Sequence, residues 1–267
     1  MIDLNGISYY YQGTDESLSR QALDDINLTI NSGESVSLLG ANGSGKSTLL
    51  KLLSGLIFAE EGSYAFDGEA ITKKGLSVPA FSKRFHQRVG FVFQNSDTQL
   101  FCADVYDEIA FGPRQMNLGE EAVKERVSGI METMELDGFE HRQPYHLSGG
   151  EKRKVAIACV LAMNPEVLML DEPLNGLDPR TQRWLAELLV RLNEAGKTII
   201  VSTHDLVFVH EISKRAVLFG EDHRIVADRV TDELLGDMAL LKEVNLVDKY
   251  YHHHPGEGHN HFHDHRY

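Results

Sequence analysis

The sequence predicts an α/β protein with a mostly parallel core sheet, and three observations predict it. Residues 40–47 read Gly-Ala-Asn-Gly-Ser-Gly-Lys-Ser and satisfy the pattern G-x-x-x-x-G-K-[ST] at every fixed position. That stretch lies between an apolar run, Val36 to Leu39, and a helical face of Leu49, Leu50, Leu52 and Leu53 that Gly55 can end. Further apolar runs at Val89 to Phe93, Val167 to Leu170 and Thr198 to Ser202 alternate with helical stretches, as the buried strands of such a sheet do.

Strand, glycine loop and helix together turn backbone N–H groups and a helix N-terminus towards a phosphate chain. The glycines let the backbone curl round the anion, Lys46 reaches the β- and γ-phosphates, and the Ser47 hydroxyl serves Mg²⁺.

Composition sets the frame. The chain has 267 residues, 42% of them hydrophobic, enough for a sizeable core. Its longest apolar run, Val155 to Met163, is far below the roughly 20 residues of a membrane span. Asp3 and the absence of a basic-then-apolar start predict no signal peptide. Cys102 and Cys159 have no metal-type spacing and read as reduced, structural thiols of a cytosolic protein. A formal net charge of −14 argues against a nucleic-acid partner.

Taken in order, Ile2 to Tyr11 and Ile26 to Ile30 read as strands separated by a polar loop, Gln12 to Ser19. Any of Tyr9, Tyr10 and Tyr11 could stack on a purine or simply pack in a strand. After the loop helix, Glu61-Gly62-Ser63 reads as a turn into a short strand, Tyr64 to Phe66, and residues 70–88 fit no clear pattern. Asn95 to Pro113 mixes loop, short helix and exposed Leu100, Phe101 and Phe111. Residues 119–135 are an amphipathic helix with Val123, Val127, Ile130, Met131 and Met134 inward. A helix from Lys152 to Met163 is stopped by Asn164-Pro165, and another runs from Thr181 to Asn193. Ala216 to Phe219 and Ile225 to Ala227 read as closing edge strands, and residues 231–248 as a small acidic helix.

Asp171 and Glu172 follow the apolar run at 167–170 directly. Carboxylates at the carboxyl end of a parallel strand beside a phosphate loop suit Mg²⁺ and the polarisation of a water.

These residues together resemble the nucleotide-binding subunits of ATP-binding cassette (ABC) transporters, from Tyr11 to about Ala227. The phosphate loop resembles the family's Walker A, Val167 to Glu172 its Walker B, Gln94 its Q-loop glutamine, Leu147 to Glu151 (LSGGE) its signature, Leu177-Asp178 its D-loop and His204 its switch histidine. The resemblance implies a nucleotide-binding domain at 1–230, with an antiparallel β subdomain and a helical signature subdomain at about 95–165. A short helical extension at 231–250 and a tail at 251–267 follow. It also implies roles. Tyr11 stacks on adenine, reviving the stacking alternative. Gly40, Asn42 and the backbone from Gly43 through Ser44, Gly45, Lys46 and Ser47 to Thr48 bind the phosphates of ATP. Ser47, Gln94 and Asp171 serve Mg²⁺. Glu172 is the general base, with His204, Gln94 and Lys46 as further catalytic groups. Ser148, Gly149 and Gly150, with Asp178, meet the nucleotide of a second ATPase subunit in a head-to-tail homo- or heterodimer. Leu174 replaces the small hydroxyl residue common after the Walker B proline and reads as tuning at the dimer seam.

Gln94 to Phe101 and Glu108 to Pro113 look like the energy-coupling-factor importers, a branch that includes cobalt, nickel and vitamin systems. There the segment receives a helix of an integral membrane coupling subunit, beside a substrate-binding membrane subunit, on the cytoplasmic face of the membrane; a local core cluster is the other reading. His252, His253, His254, His259, His261, His263 and His265 form a low-complexity tail whose imidazoles suit Ni²⁺ or Co²⁺. An interrupted expression tag or a solvated spacer are its plainer readings. The combined expectation is an ATPase of a nickel or cobalt importer. A vitamin importer, a cassette ATPase acting on nucleic acid or ribosomes, and a metal-storage protein are the rivals.

Overall fold

The computed structural model describes residues 1–12 and 19–247. Most of the polar loop expected at Gln12–Ser19, the end of the 231–250 extension and all seven tail histidines lie outside the described residues.

The chain runs β1 (Ile2–Tyr11), β2 (Arg20–Ile30), β3 (Ser35–Leu39), α1 (Lys46–Leu53), β4 (Glu61–Phe66), β5 (Glu69–Ala70), α2 (Lys73–Leu76), α3 (Pro79–Arg88) and β6 (Val89–Val92). It continues through α4 (Val105–Gln115), α5 (Glu120–Thr133), α6 (Gly149–Leu161), β7 (Val167–Asp171), α7 (Pro179–Glu194), β8 (Thr198–Thr203) and α8 (Leu206–Ile212). β9 (Arg215–Phe219), β10 (Ile225–Val230), α9 (Thr231–Gly236) and α10 (Met238–Glu243) complete it.

Two sheets form. One is antiparallel, in the order β2-β1-β4-β5. The other, in the order β10-β9-β3-β8-β7-β6, is parallel except for the β9–β10 pair. Every residue of β3, β7 and β8 is buried, which is why they read as largely apolar runs rather than strictly alternating ones. Alternation survives in what each face touches. Leu168, Leu170, Ile199 and Val201 join the core of the helical layer, while Val167, Met169 and Ile200 join the core shared with the antiparallel sheet. Each such side chain removed from water contributes about 1.5–3 kcal/mol. The polar exceptions are satisfied: the Ser35 hydroxyl donates to the Ile212 carbonyl (2.6 Å), and Ser37 shares a 2.5 Å hydrogen bond with Ser213.

Several expectations need correction. The strand expected at Tyr64 starts at Glu61, because its first residues pair with Asn5 and Ser8 of β1. Within 70–88, where the sequence fits no clear pattern, α2 and α3 form, the first capped by the Thr72 side chain, the second opened by Pro79. The helix expected from Lys152 starts at Gly149, since Ser148 caps it reciprocally with Glu151. The single helix expected over 231–248 is replaced, among the described residues, by two short ones, Thr231–Gly236 and Met238–Glu243. β9 is interior, since it pairs with β3 as well as β10; of these two strands β10 lies at an edge. The amphipathic helix is as expected, with Val123, Val127 and Met131 buried along α5.

The order β3-β8-β7 sets up the site. Leu39 lies opposite Thr203, and Asp171 opposite Ser202. The carboxyl ends of the three strands therefore deliver the glycine loop, His204 and the acidic pair to one edge of the sheet.

Candidate active site

The glycine loop leaves β3 with Gly40 at φ 152° and closes on α1 with Gly45 at φ 112°. A Cβ at position 40 would sit 2.6 Å from Ser44 Oγ and 2.9 Å from the Phe219 carbonyl oxygen, and one at 45 would run into the Ala22 carbonyl. Glycine is required there by space as well as by backbone conformation. Lys46 Nζ donates to the carbonyls of Gly40 (2.7 Å) and Ala41 (3.1 Å) and lies 3.8 Å from Glu172 Oε1. Burial pulls the Lys46 ammonium below its ordinary range, and the Glu172 and Asp171 carboxylates oppose that pull.

Ser47 Oγ donates to Asp171 Oδ1 (2.7 Å), and Ser202 Oγ donates to the same oxygen (2.5 Å). Glu172 follows in the left-handed region, φ 41°, held there by its amide, which donates to the Ser202 carbonyl and hydroxyl. Its Oε2 lies 3.0 Å from His204 Nδ1, and its Oε1 is buried without a hydrogen-bond partner. A buried carboxylate oxygen with spare valence, beside an ammonium and an imidazole, fits a site that takes up a further polar group.

A cavity of about 510 Å³ gathers most of the expected residues: Tyr11, Asn42, Gly43, Gly45 and Lys46 through Thr48, together with Gln94, Glu172 and His204. Tyr11 is exposed; its hydroxyl shares a 3.3 Å hydrogen bond with Thr48 Oγ1, and its ring meets Tyr9 edge-on at 5.1 Å. That leaves a face of Tyr11 for a ring to stack on.

Ser148, Gly149, Gly150 and Asp178 do not line this cavity. They form a separate cluster: the Ser148 hydroxyl accepts the Glu151 amide (3.4 Å), and Asp178 caps α7 by accepting from the amides of Arg180 and Thr181. Hydrogen bonds from the Thr181 hydroxyl and amide hold the Asp178 carboxyl below its usual range. Leu174 packs partly buried on the helical-layer core. Leu100, expected to be exposed, also packs there, while Phe101 and Phe111 are exposed and meet edge-on at 5.0 Å. Both cysteines are free thiols; burial, with Glu108 close by, pushes Cys102 up to about 11.

Sequence reasoning missed Arg20, Asn175 and His223, which line the cavity, and Ser202, which holds the acidic pair. Arg20 reaches the cavity because it pairs with Tyr11 across the β1–β2 register, which the sequence does not show. His223 likewise left no sequence signal, lying far beyond the loop in the β9–β10 turn. Among the described residues, no three His, Cys, Asp or Glu side chains converge as a metal cluster, and no helix is long and apolar enough to cross a membrane.

Residues 23–175 match the family model described as ABC transporter. The chain belongs to the ABC transporter family. It is 45% identical over 247 residues to the nickel import ATP-binding protein LarO of Lactiplantibacillus plantarum, covering 92% of this chain and 99% of that one. The solved structure of cbiO1 from Clostridium perfringens, described as part of the ABC transporter complex cbiONQ, superposes with a TM-score of 0.76 at 32% identity, covering 92% of this chain and 94% of that one. A dimeric ATP-binding cassette in a post-hydrolysis state with ADP and phosphate gives 0.78 at 29% identity, covering 86% and 99%. This ABC protein is thus a transporter-type ATPase with the family's α/β P-loop fold, and it binds ATP, typically with Mg²⁺.

Proposed function

We propose that this ABC ATPase drives the import of a divalent metal ion, nickel or cobalt, from the cytoplasmic face of the membrane. One observation carries the cargo reading. A chain similar over nearly its whole length to a nickel import ATPase also has seven histidines within residues 252–265, whose imidazoles would hold such an ion before or after transfer.

In this reading residues 1–230 are the nucleotide-binding domain, with the helical subdomain at about 95–165, the extension at 231–250 and the tail at 251–267. Two such subunits pair head to tail, and Ser148, Gly149, Gly150 and Asp178 complete the partner's site. The exposed Phe101–Phe111 pair receives an integral membrane coupling subunit, alongside a substrate-binding one. Within the site, Tyr11 stacks on the base, and the loop amides with Lys46 hold the phosphates. Ser47, Asp171 and Gln94 would hold Mg²⁺, which neutralises phosphate charge when bound. Glu172 takes the proton of the attacking water, and His204, within hydrogen-bond reach, orients Glu172.

The test is elemental analysis of cells expressing the transporter with its membrane subunits. Nickel or cobalt accumulation that disappears with Glu172→Gln and weakens when residues 252–267 are deleted is the expected result. ATP-dependent uptake of an organic vitamin, with metal levels unchanged by either variant, overturns the cargo reading while leaving the ATPase intact.

A further inference from the structure

The start of β2 forms one wall of the nucleotide cavity, although it carries none of the motifs read from the sequence. Arg20, Gln21 and Ala22 all line the cavity. The strand runs close against the phosphate loop here, since a Cβ at position 45 would run into the Ala22 carbonyl. The β9–β10 turn is pinned to the same strand. The Asp24 amide donates to the His223 carbonyl (3.1 Å), and Arg224 Nε donates to Asp24 Oδ2 (2.5 Å). That pinning brings His223 to the cavity beside Arg20.

Arg20 is exposed and is the Cα partner of Tyr11 in the antiparallel pair. Residues directly opposite in such a pair put their side chains on one face of the sheet. The two reach different parts of the loop and its helix. The Tyr11 hydroxyl meets Thr48 Oγ1, whereas Arg20 Nη2 lies 3.8 Å from the point a Cβ on Gly43 would occupy. The guanidinium therefore stands over the glycine loop itself, at the edge of the cavity.

Charge makes this position matter. Among the described residues that line the cavity, Lys46 and Arg20 are the lysine and arginine side chains. Lys46 is already engaged: its Nζ donates to the Gly40 and Ala41 carbonyls and lies 3.8 Å from Glu172 Oε1. The two carboxylates at the end of β7, Asp171 and Glu172, outnumber that one ammonium. A triphosphate entering the cavity adds further negative charge, which a second cation at the rim offsets. Arg224, close by, is held by Asp24; Arg20 has no carboxylate within 4.0 Å among the described residues.

We propose that Arg20 is a phosphate-binding residue of the nucleotide site, taking the phosphate chain of ATP from the β2 wall beside Gly43, in addition to Lys46 and the loop amides. The inference rests on the nucleotide-site reading above. A guanidinium suits the task because its planar fork can donate to two phosphate oxygens at once. An exposed guanidinium also gives up little hydration to make the contact, whereas Lys46 is buried.

The experiment uses the full-length chain, Mg²⁺ and a non-hydrolysable ATP analogue, with binding read by titration calorimetry below dimerising concentrations. Arg20→Gln is expected to weaken binding roughly tenfold while melting as the parent does, since the side chain is exposed at the start of its strand. Its binding should also weaken less than the parent's as salt is raised, one charge contact having been removed. Arg20→Lys keeps the charge without the fork and is expected to lose about threefold. Affinity of Arg20→Gln within twofold of the parent overturns the proposal, as does a loss with the parent's salt dependence. A footprint on the unmodified chain decides even if neither variant folds. The bound analogue should slow phenylglyoxal labelling of Arg20 by about fivefold or more and leave the exposed Arg183 on α7 unchanged. Equal labelling of Arg20 with and without bound analogue overturns the contact. Failure of the unmodified chain to bind the analogue or ATP at all overturns the nucleotide-site reading itself.

Discussion

The Ser202 hydroxyl donates to Asp171 Oδ1 over 2.5 Å while accepting the amide N–H of Glu172 at 3.1 Å. One side chain on β8 thereby fixes both members of the acidic pair at the end of β7, and it also helps hold Glu172 at φ 41°. Replacing Ser202 with Ala removes the clamp and leaves a buried carboxylate oxygen with Ser47 alone. The expected cost is about 1–3 kcal/mol in unfolding free energy, read from denaturant melts. Turnover should also fall roughly tenfold from misplacement of Glu172, with ATP affinity little changed.

Glycine 45 tests the loop by sterics. A methyl group there meets the Ala22 carbonyl in a backbone region that L-residues avoid. Gly45→Ala should abolish measurable ATP binding while circular dichroism stays close to the parent. ATP affinity within threefold of the parent would contradict the steric account.

Ser148 tests local stability against function. Its hydroxyl and the Glu151 carboxylate cap α6 reciprocally, and the bonds from Ser148 keep the Glu151 carboxyl below its usual range. Ser148→Ala should cost about 1 kcal/mol, since the cap is exposed and the helix is otherwise anchored by Val155, Ala156 and Ile157. A much larger loss of ATP-driven dimerisation than of stability would separate the signature's role at a partner from its role as a cap.

Glu108 gives a pH dependence with a definite sign. Burial raises its pKa above the ordinary carboxylate range, against the backbone hydrogen bonds from Cys102 and Phe101 that lower it. A carboxyl whose folded pKa is raised contributes stability below its unfolded pKa, and that contribution is lost as pH rises through the folded value. Glu108→Gln should therefore melt higher than the parent at pH 8, by roughly 1–3 °C, with the difference fading below about pH 4. An advantage that grows on acidification would reverse the assignment.

Much of the site was legible because its parts are local. The glycine loop needs eight consecutive residues, and β3, β7 and β8 are buried on both faces, so each appears as an apolar run with its functional residues at the end. The helical connection was harder. Residues 70–88 hide α2 and α3 because a four-residue and a ten-residue helix with one buried side chain, Phe85, leave little apolar periodicity to read. The edge position expected for β9 fails because parallel pairing with β3, far earlier in the chain, is not visible in the sequence and places the strand inside.

The sequence by itself determined the family, the phosphate loop, the acidic pair and the signature, since each is a short run whose chemistry depends on neighbours along the chain. Only the tertiary structure decided that Ser202 clamps Asp171, that Arg153 grips the carbonyls of Phe93 and Gln94, and that Arg20 and His223 face the nucleotide cavity. The physical reason is that strand order and helix docking bring together groups 31, 59 and 60 residues apart, and a hydrogen bond between such groups leaves no periodic trace in the chain.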